Sequence, residues 1–190
     1  MINIVDNEIT NIINSLNIIR NEITNKEKQS LSINNDTNNT DNINDTADIN
    51  NIDITNNDKY ILMFDGGSRS NPGLCGIGCV IYDNYNNIIM KHKEIVSQKD
   101  TNNFAEYNAL LIGLKKCLEL NIDNLHVKGD SLLVINQVTN QWKCNAPNLK
   151  HFYEEISNIK KKFSNIEFTH VLRNENKIAD SLANQAMNEN

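Results

Sequence analysis

Three consecutive strand-like segments, followed by alternating helix and strand patterns, constrain the fold of this chain more than any other feature. Tyr60–Phe64 is an apolar run that ends at Asp65, and Leu74–Tyr82 and Ile88–Val96 are apolar-rich runs joined by a polar turn at residues 83–87. Strands that follow each other after short turns pair in antiparallel fashion. The sequence therefore predicts a unit of three antiparallel strands at the start of a folded domain.

The segment that follows this unit alternates between the two periodicities. Helices are predicted at Asn103–Leu120, Asp130–Val138, Pro147–Phe163 and Asn174–Met187. Further strands are predicted at Leu125–Lys128 and Ile166–Val171. This order is typical of an α/β protein, and it predicts a five-stranded mixed sheet flanked by helices.

Residues 1–57 have a different character from the rest. Residues 1–28 carry apolar side chains at alternating steps of four and three, which predicts an amphipathic helix. These apolar residues are Val5, Ile9, Ile12, Leu16, Ile19 and Ile23. Two interpretations stay open: a partly helical tail, or a short coiled coil or docking helix that supports self-association or binds a partner. Residues 29–57 are rich in Asn, Asp and Thr and predict a disordered linker, so the folded domain is expected at residues 58–190.

The four cysteines, Cys75, Cys79, Cys117 and Cys144, lack the close pairs of a zinc site. No signal peptide precedes them, and no apolar stretch is long enough to span a bilayer. The expectation is an intracellular protein that is neither secreted nor membrane-bound and whose cysteines are reduced packing residues.

Four acidic residues lie where predicted strands end or predicted helices begin: Asp65, Glu106, Asp130 and Asp180. Each has an ordinary explanation when taken alone, as a turn residue, a helix cap or a solvated helix position. Taken together, they are placed to converge on one site, where their mutual repulsion would be costly unless cations bind there. Oxygen ligands without companion cysteine or histidine pairs favour Mg²⁺, or Mn²⁺, over zinc.

Two such ions at about 3.5–4 Å from each other activate a water on one side of a phosphate and stabilise the leaving oxygen on the other. The acids are therefore predicted to serve as metal ligands and catalytic residues of a phosphodiester hydrolase. Gly66 and Gly67, which follow the first acid, allow a nucleic-acid backbone to approach the main chain closely, and Gly67 and Ser68 are candidate substrate contacts.

The charge distribution permits a polyanionic partner. The chain contains 18 basic and 24 acidic residues, and residues 1–57 hold 3 of the basic and 9 of the acidic ones. The whole net charge of −6 therefore belongs to the front of the chain, and the folded domain is neutral before any metal binds. Neutralisation of the four acids by metal would leave its surface net positive, despite a sequence pI of about 5.2.

Four motifs in order resemble type 1 ribonuclease H, and the compact archaeal and bacterial branch in particular. They are Phe64-Asp65-Gly66-Gly67-Ser68 with Asn71-Pro72-Gly73, Thr101-Asn102-Asn103-Phe104-Ala105-Glu106-Tyr107, Gly129-Asp130-Ser131 with Asn136-Gln137, and His170-Val171 with Arg173, Asn176 and Ala179-Asp180-Ser181-Leu182-Ala183-Asn184. The resemblance runs from about Tyr60 to Met187.

The resemblance implies a ribonuclease H-like fold and an endonuclease that hydrolyses the RNA strand of RNA/DNA hybrids with two metal ions. The products would have 3′-hydroxyl and 5′-phosphate ends. The implied metal ligands are the four acids named above, and the implied hybrid contacts are Thr101, Asn102 and Asn103. Arg173 matches an arginine near the scissile phosphate in the compact branch, whereas His170 is interpreted as a structural residue at a strand end.

Two other functions stay open at this stage. The first is a catalytically silent nucleic-acid-binding module of the same fold. The second is a related metal-dependent exonuclease or a reverse-transcriptase-associated domain. Replication primers, R-loops and double-stranded RNA are the candidate physiological substrates, and Mg²⁺ and Mn²⁺ are the candidate metals.

Overall fold

The computed structural model describes residues 58–189. The predicted N-terminal helix (1–28) and linker (29–57) lie outside the described residues. The strands are β1 (Tyr60–Ser68), β2 (Gly73–Tyr82), β3 (Ile88–Asp100), β4 (Asn124–Gly129) and β5 (Asn165–His170). The helices are α1 (Asn102–Glu119), α2 (Leu132–Val138), α3 (Pro147–Lys160) and α4 (Lys177–Asn188), with a 3₁₀ turn at Arg173–Glu175 before α4.

The five strands form one mixed sheet in the order β3-β2-β1-β4-β5. The pairs β1–β2 and β2–β3 are antiparallel, whereas β1–β4 and β4–β5 are parallel. The prediction of a five-stranded mixed sheet with flanking helices is confirmed. β1 is central, and it lies beside β4, whose carboxyl end at Gly129 is paired with Phe64. The residues that follow these two positions, Asp65 and Asp130, are thereby brought to the same edge of the sheet.

One face of the sheet carries the main hydrophobic core. Helix α1 packs on β1 and β2, and α3 packs on α1. Thr101 caps α1, because its side-chain oxygen accepts a hydrogen bond from the backbone N–H of Phe104 at 3.3 Å. Cys75 and Cys79 lie fully buried in this core as free thiols, and burial raises the pKa of Cys79 to about 12. A thiol with that pKa is a packing group and not a nucleophile at neutral pH.

The other face of the sheet is covered by α4, which packs on β2, β1 and β3. The contact is close because β2 presents glycine here: a Cβ at Gly78 would lie 2.3 Å from the carbonyl oxygen of Ala179. Ala183 makes a similar approach to Gly76. This tight packing brings the start of α4, which carries Asp180, against the central strands.

Several predicted boundaries differ from the observed ones, and α3 ends at Lys160 instead of Phe163. β1 does not end at Phe64 but continues to Ser68, so Asp65 lies within the strand. β3 continues to Asp100 instead of ending at Val96, and the second helix begins at Leu132 instead of Asp130. The predicted last helix is interrupted, since a 3₁₀ turn at Arg173–Glu175 precedes α4. Within residues 58–189, no helix is both long and apolar enough to cross a membrane.

Candidate active site

Three of the four predicted acids form a tight cluster. Asp65, Glu106 and Asp130 each offer one carboxylate oxygen, and these three oxygens lie within 4.8 Å of one another. Asp65 comes from the centre of β1, Glu106 from the first turns of α1 and Asp130 from the residue after β4. Asp65 and Glu106 are buried, at 8% and 6% exposure, and Asp130 is half-buried. The cluster therefore joins three separate elements at one edge of the sheet.

Gly66 is the contact point that brings Glu106 to Asp65. A Cβ at Gly66 would lie 2.2 Å from the backbone carbonyl carbon of Ala105, so any side chain there would force β1 and α1 apart. The same close approach allows the Gly66 backbone to form a hydrogen bond with the Glu106 carboxyl group. Gly66 thus has a packing role in addition to the substrate access expected from the sequence.

Asp180 lies beside this cluster, held by an arginine. The Nε and Nη2 atoms of Arg173 donate hydrogen bonds to the same carboxylate oxygen of Asp180, at 3.1 and 2.5 Å. The interaction with Asp180 raises the pKa of Arg173 above its already high ordinary value. The structure therefore brings together three of the acids in ligand range of one another, with the fourth adjacent and paired to a side-chain cation.

The cluster is electrostatically strained in the absence of cations. Burial raises the pKa of Asp65 to about 7, with further contributions from the charges of Asp130 and Asp180, and Arg173 acts in the opposite direction. Burial, together with the charges of Asp65 and Asp130, raises the pKa of Glu106 well above its ordinary value. Burial disfavours the charged form of both carboxyl groups, and the neighbouring like charges disfavour their joint ionisation.

A divalent cation fits this donor set. Among the described residues, the Oε2 atom of Glu106 is one of two buried side-chain polar atoms without a hydrogen-bond partner. A buried carboxylate oxygen that lacks a partner is costly, and a cation at the cluster would satisfy it and offset the repulsion. The ligands are oxygen atoms, which Mg²⁺ and Mn²⁺ prefer.

The acids line one open cleft, and the predicted substrate contacts divide into two groups around it. The residues that line the cleft are Asp65, Gly66, Gly67, Asn102, Glu106, Asp130, Arg173, Asp180, Ala183, Asn184 and Met187. Of the predicted contacts, Gly67, Asn102 and Arg173 belong to this lining. Ser68, Thr101 and Asn103 do not.

The side-chain oxygens of Ser68 and Thr101 are engaged within the protein. Ser68 Oγ donates to the carbonyl oxygen of Asp100 at 2.7 Å, and Thr101 Oγ1 caps α1. Asn103 is exposed. Asn102, at the start of α1, contacts the end of β1, because its Oδ1 accepts a hydrogen bond from the Ser68 backbone N–H at 3.2 Å. His170 ends β5, where its Nε2 lies 3.2 Å from the backbone oxygen of Asp130.

Asn176 is a site residue to which sequence analysis gave no role of its own. Its side chain is 1% exposed and contacts both Phe64 and Asp130. The sequence contained one signal for it, because Asn176 lies four residues before Asp180, one helical turn from an acid at the start of a helix.

Comparison with known proteins relates this arrangement to a family. A family model described as reverse transcriptase-like matches residues 63–186, a range that includes all four acids. The crystal structure of RNase H1 from the halophilic archaeon Halobacterium salinarum is 33% identical, with a TM-score of 0.67, over 70% of this chain and 99% of that one. The chain belongs to the type 1 ribonuclease H family.

Other members of the ribonuclease H family show the same degree of similarity. LC11-RNase H1, solved in complex with an RNA/DNA hybrid, is 34% identical, with a TM-score of 0.65, over 68% of this chain and 97% of that one. Ribonuclease HI of Halobacterium salinarum is 35% identical over 126 residues, which are 66% of this chain and 63% of the relative. The chain spans 35% of the length of the mycobacterial relatives that it matches at 35% identity.

Proposed function

We propose that this chain is an endonuclease that hydrolyses the RNA strand of RNA/DNA hybrids with two divalent metal ions, Mg²⁺ or Mn²⁺. The observation that carries the proposal is the cluster of Asp65, Glu106 and Asp130, whose carboxylate oxygens lie within 4.8 Å of one another in a cleft that also contains Asp180. Carboxylates this close to one another repel each other, and bound cations would offset that repulsion. Membership of the ribonuclease H family supports the same reaction.

The bound ions supply an activated water and a stabilised leaving oxygen. The chain's own groups set up that chemistry. Asp65 is fixed by its position within a central strand, and Glu106 is oriented by the Gly66 backbone. Cleavage at the 3′ oxygen of a ribose would leave 3′-hydroxyl and 5′-phosphate ends, because the attacking water adds to phosphorus and the ribose oxygen departs.

Arg173 and Asn102 are proposed substrate contacts whose residues line the cleft. The side chain of Arg173 is 77% exposed, so its guanidinium can leave Asp180 and reach a phosphate by paired hydrogen bonds. Asn102 offers an amide beside Gly67, where a ribose 2′-hydroxyl or a base edge can approach the main chain. The complex of LC11-RNase H1 with an RNA/DNA hybrid supports such a substrate for this chain. Gly67 and the exposed Asn103 remain proposed contacts. Ser68 and Thr101 would contact the substrate through backbone groups or rearranged side chains.

A labelled duplex tests the proposal directly. The substrate is DNA with a short internal stretch of RNA in one strand, incubated with full-length protein and Mg²⁺. We expect internal cuts within the RNA stretch, products that a 3′-end-labelling polymerase can extend, and no cutting when EDTA is added. Asp130→Asn is the matched control, since it preserves shape and removes one charge.

The same assay separates the alternatives. A catalytically silent nucleic-acid-binding module would shift the duplex in a gel under Mg²⁺ or Mn²⁺ without cutting it. An exonuclease would need a free RNA end and would leave the internal stretch intact. Either result would overturn the endonuclease proposal, whereas binding and internal cutting together support it. Self-association through residues 1–28 is a separate proposal and does not bear on the chemistry.

A further inference from the structure

Asn176 connects the elements that carry three of the four acids. Its Nδ2 donates to the backbone oxygen of Phe64, the residue before Asp65, and to Oδ1 of Asp130, both at 2.8 Å. Its own backbone oxygen accepts from the N–H of Asp180 at 3.0 Å, as the first bond of α4. A single residue therefore contacts β1, the end of β4 and the start of α4.

The orientation of the Asn176 amide follows from its neighbours. Both groups that it contacts, a carbonyl oxygen and a carboxylate oxygen, are acceptors, so only the NH₂ end of the amide can face them. The two hydrogens of that NH₂ group satisfy one acceptor each. The opposite end, Oδ1, is buried and has no hydrogen-bond partner among the described residues.

The side chain of Asn176 does not form the capping hydrogen bond that asparagine usually makes at the start of a helix. Asn176 is the N-cap residue of α4, but it makes no side-chain capping bond to that helix. Asparagine is favoured at N-caps because its side-chain oxygen accepts from the first backbone N–H groups. Here the amide is turned away from the helix towards Asp130. An unused cap and a buried unpaired oxygen are both unfavourable, so the two hydrogen bonds of the NH₂ group, to Phe64 and to Asp130, are the gain that accounts for this conformation.

We infer that Asn176 is a positioning residue that fixes the carboxylate of Asp130 for cation binding and holds it in register with Asp65. One oxygen of Asp130 accepts a hydrogen bond from the amide, and this bond restricts rotation of the carboxylate. The orientation of the other carboxylate oxygen is thereby fixed as well. Outer hydrogen-bond partners of this kind orient metal ligands, and their removal typically lowers metal affinity by about 10–100-fold. The inference rests on the proposed function only in assuming that these acids bind divalent cations.

Mn²⁺ binding provides a readout that is independent of cleavage. We suggest measuring the dissociation constant for Mn²⁺ by calorimetry and by the loss of the free-ion signal in electron paramagnetic resonance, for full-length wild-type protein and for Asn176→Ala. We expect the variant to bind Mn²⁺ at least about tenfold more weakly. The Mg²⁺ concentration that gives half-maximal cleavage should rise by a similar factor, with partial recovery of the rate at saturating Mg²⁺.

Gln137→Ala is the matched control for a structural role. Gln137 is also a buried amide with two partners, since it accepts from the Tyr107 hydroxyl at 2.7 Å and donates to the Lys143 carbonyl at 3.0 Å. Its loss should lower the melting temperature in EDTA while leaving the dissociation constant for Mn²⁺ unchanged. Asn176→Ser, which keeps a hydroxyl donor on a shorter side chain, replaces the alanine variant if that variant does not fold.

Four outcomes distinguish the inference from the proposed function. Weaker Mn²⁺ binding in the Asn176 variant but not in the Gln137 variant supports the positioning role. Equal Mn²⁺ affinity in wild type and the Asn176 variant overturns it, as does equal weakening in both variants. Absence of Mn²⁺ binding by the wild-type protein overturns the proposed function itself.

Discussion

Arg173 donates two hydrogen bonds to a single carboxylate oxygen of Asp180, at 3.1 Å from Nε and 2.5 Å from Nη2. The acid that the sequence assigns to the metal site is thereby neutralised by a side-chain cation. The arginine is 77% exposed and the aspartate side chain 26% exposed, so water screens the pair and the interaction is readily exchanged. A metal ion at Asp180 would compete with Arg173 and free its guanidinium to contact a phosphate in the cleft.

Arg173→Gln should therefore separate metal binding from catalysis. Exposed ion pairs contribute about 0.2–1 kcal/mol, so removal of the competing arginine should tighten Mn²⁺ binding by up to about fivefold. The cleavage rate at saturating Mg²⁺ should fall, because the proposed phosphate contact is lost. Arg173→Lys, which keeps the charge without the planar fork, is the control. Weaker Mn²⁺ binding in Arg173→Gln would contradict the competition.

The stability of the metal-free protein should fall as pH rises. The pKa of Asp65 is raised from an ordinary 3.8 to about 7, so the unfolded chain releases this proton at lower pH than the folded chain does. The protonated Asp65 carboxyl group stabilises the folded protein by up to about 4 kcal/mol. This contribution is fully present below about pH 4 and is lost as pH rises through about 7. Thermal unfolding in EDTA between pH 4.5 and 8 measures it.

Asp65→Asn is the control for this pH dependence. The variant should show a flatter curve of melting temperature against pH and should be more stable than wild type at pH 8. Saturating Mg²⁺ should flatten the wild-type curve, since bound cations favour the ionised acid. If wild type and Asp65→Asn have the same pH dependence of melting temperature in EDTA, that dependence does not come from Asp65.

Glu106→Gln should raise the stability of the metal-free protein and lower its cleavage activity. Glu106 is buried beside two other acids, and its Oε2 has no partner among the described residues. The neutral amide removes the repulsion, so the melting temperature in EDTA at pH 8 should rise by several degrees. Cleavage should fall by more than about 100-fold, because a direct ligand contributes more than the outer partners of metal sites. A variant that keeps wild-type cleavage would remove Glu106 from the proposed ligand set.

Deletion of residues 1–57 tests the interpretation of the front of the chain. We expect the shortened protein to keep its cleavage rate, because all four acids and the described sheet lie after residue 57. If residues 1–28 form a coiled coil, light scattering should show self-association of the full chain and a monomer after deletion. Monomers in both cases at micromolar concentration would reject the coiled coil.

The five-stranded mixed sheet followed from patterns that the sequence expresses clearly. Periodicity gave the five strands, and the position of Asp130 after a strand placed it at the edge of the sheet. The extension of β1 through Gly66 and Gly67 was missed, because glycine has low strand propensity and here pairs with Ile77 and Gly76 for tertiary reasons. Local sequence contains no signal for such a pairing.

The contacts between side chains could also not be predicted from the sequence. Arg173 and Asn176 were visible as residues near Asp180, but neither the ion pair nor the double hydrogen bond of Asn176 could be deduced from spacing. The bond to Phe64 joins residues 112 positions apart, and only the packing of α4 against β2 brings them together. The side-chain bonds of Ser68 and Thr101 are tertiary and capping contacts of the same kind.

Anomalous diffraction from a crystal soaked in Mn²⁺ tests the central claim most directly. We expect strong peaks in the cleft within ligand distance of Asp65, Glu106 and Asp130, and a second ion that contacts Asp180 after Arg173 has moved away. The same crystal form of Asp130→Asn should lose or weaken these peaks. Full Mn²⁺ sites elsewhere on the protein with none at these acids, in an enzyme that cleaves the hybrid under the same conditions, would contradict it.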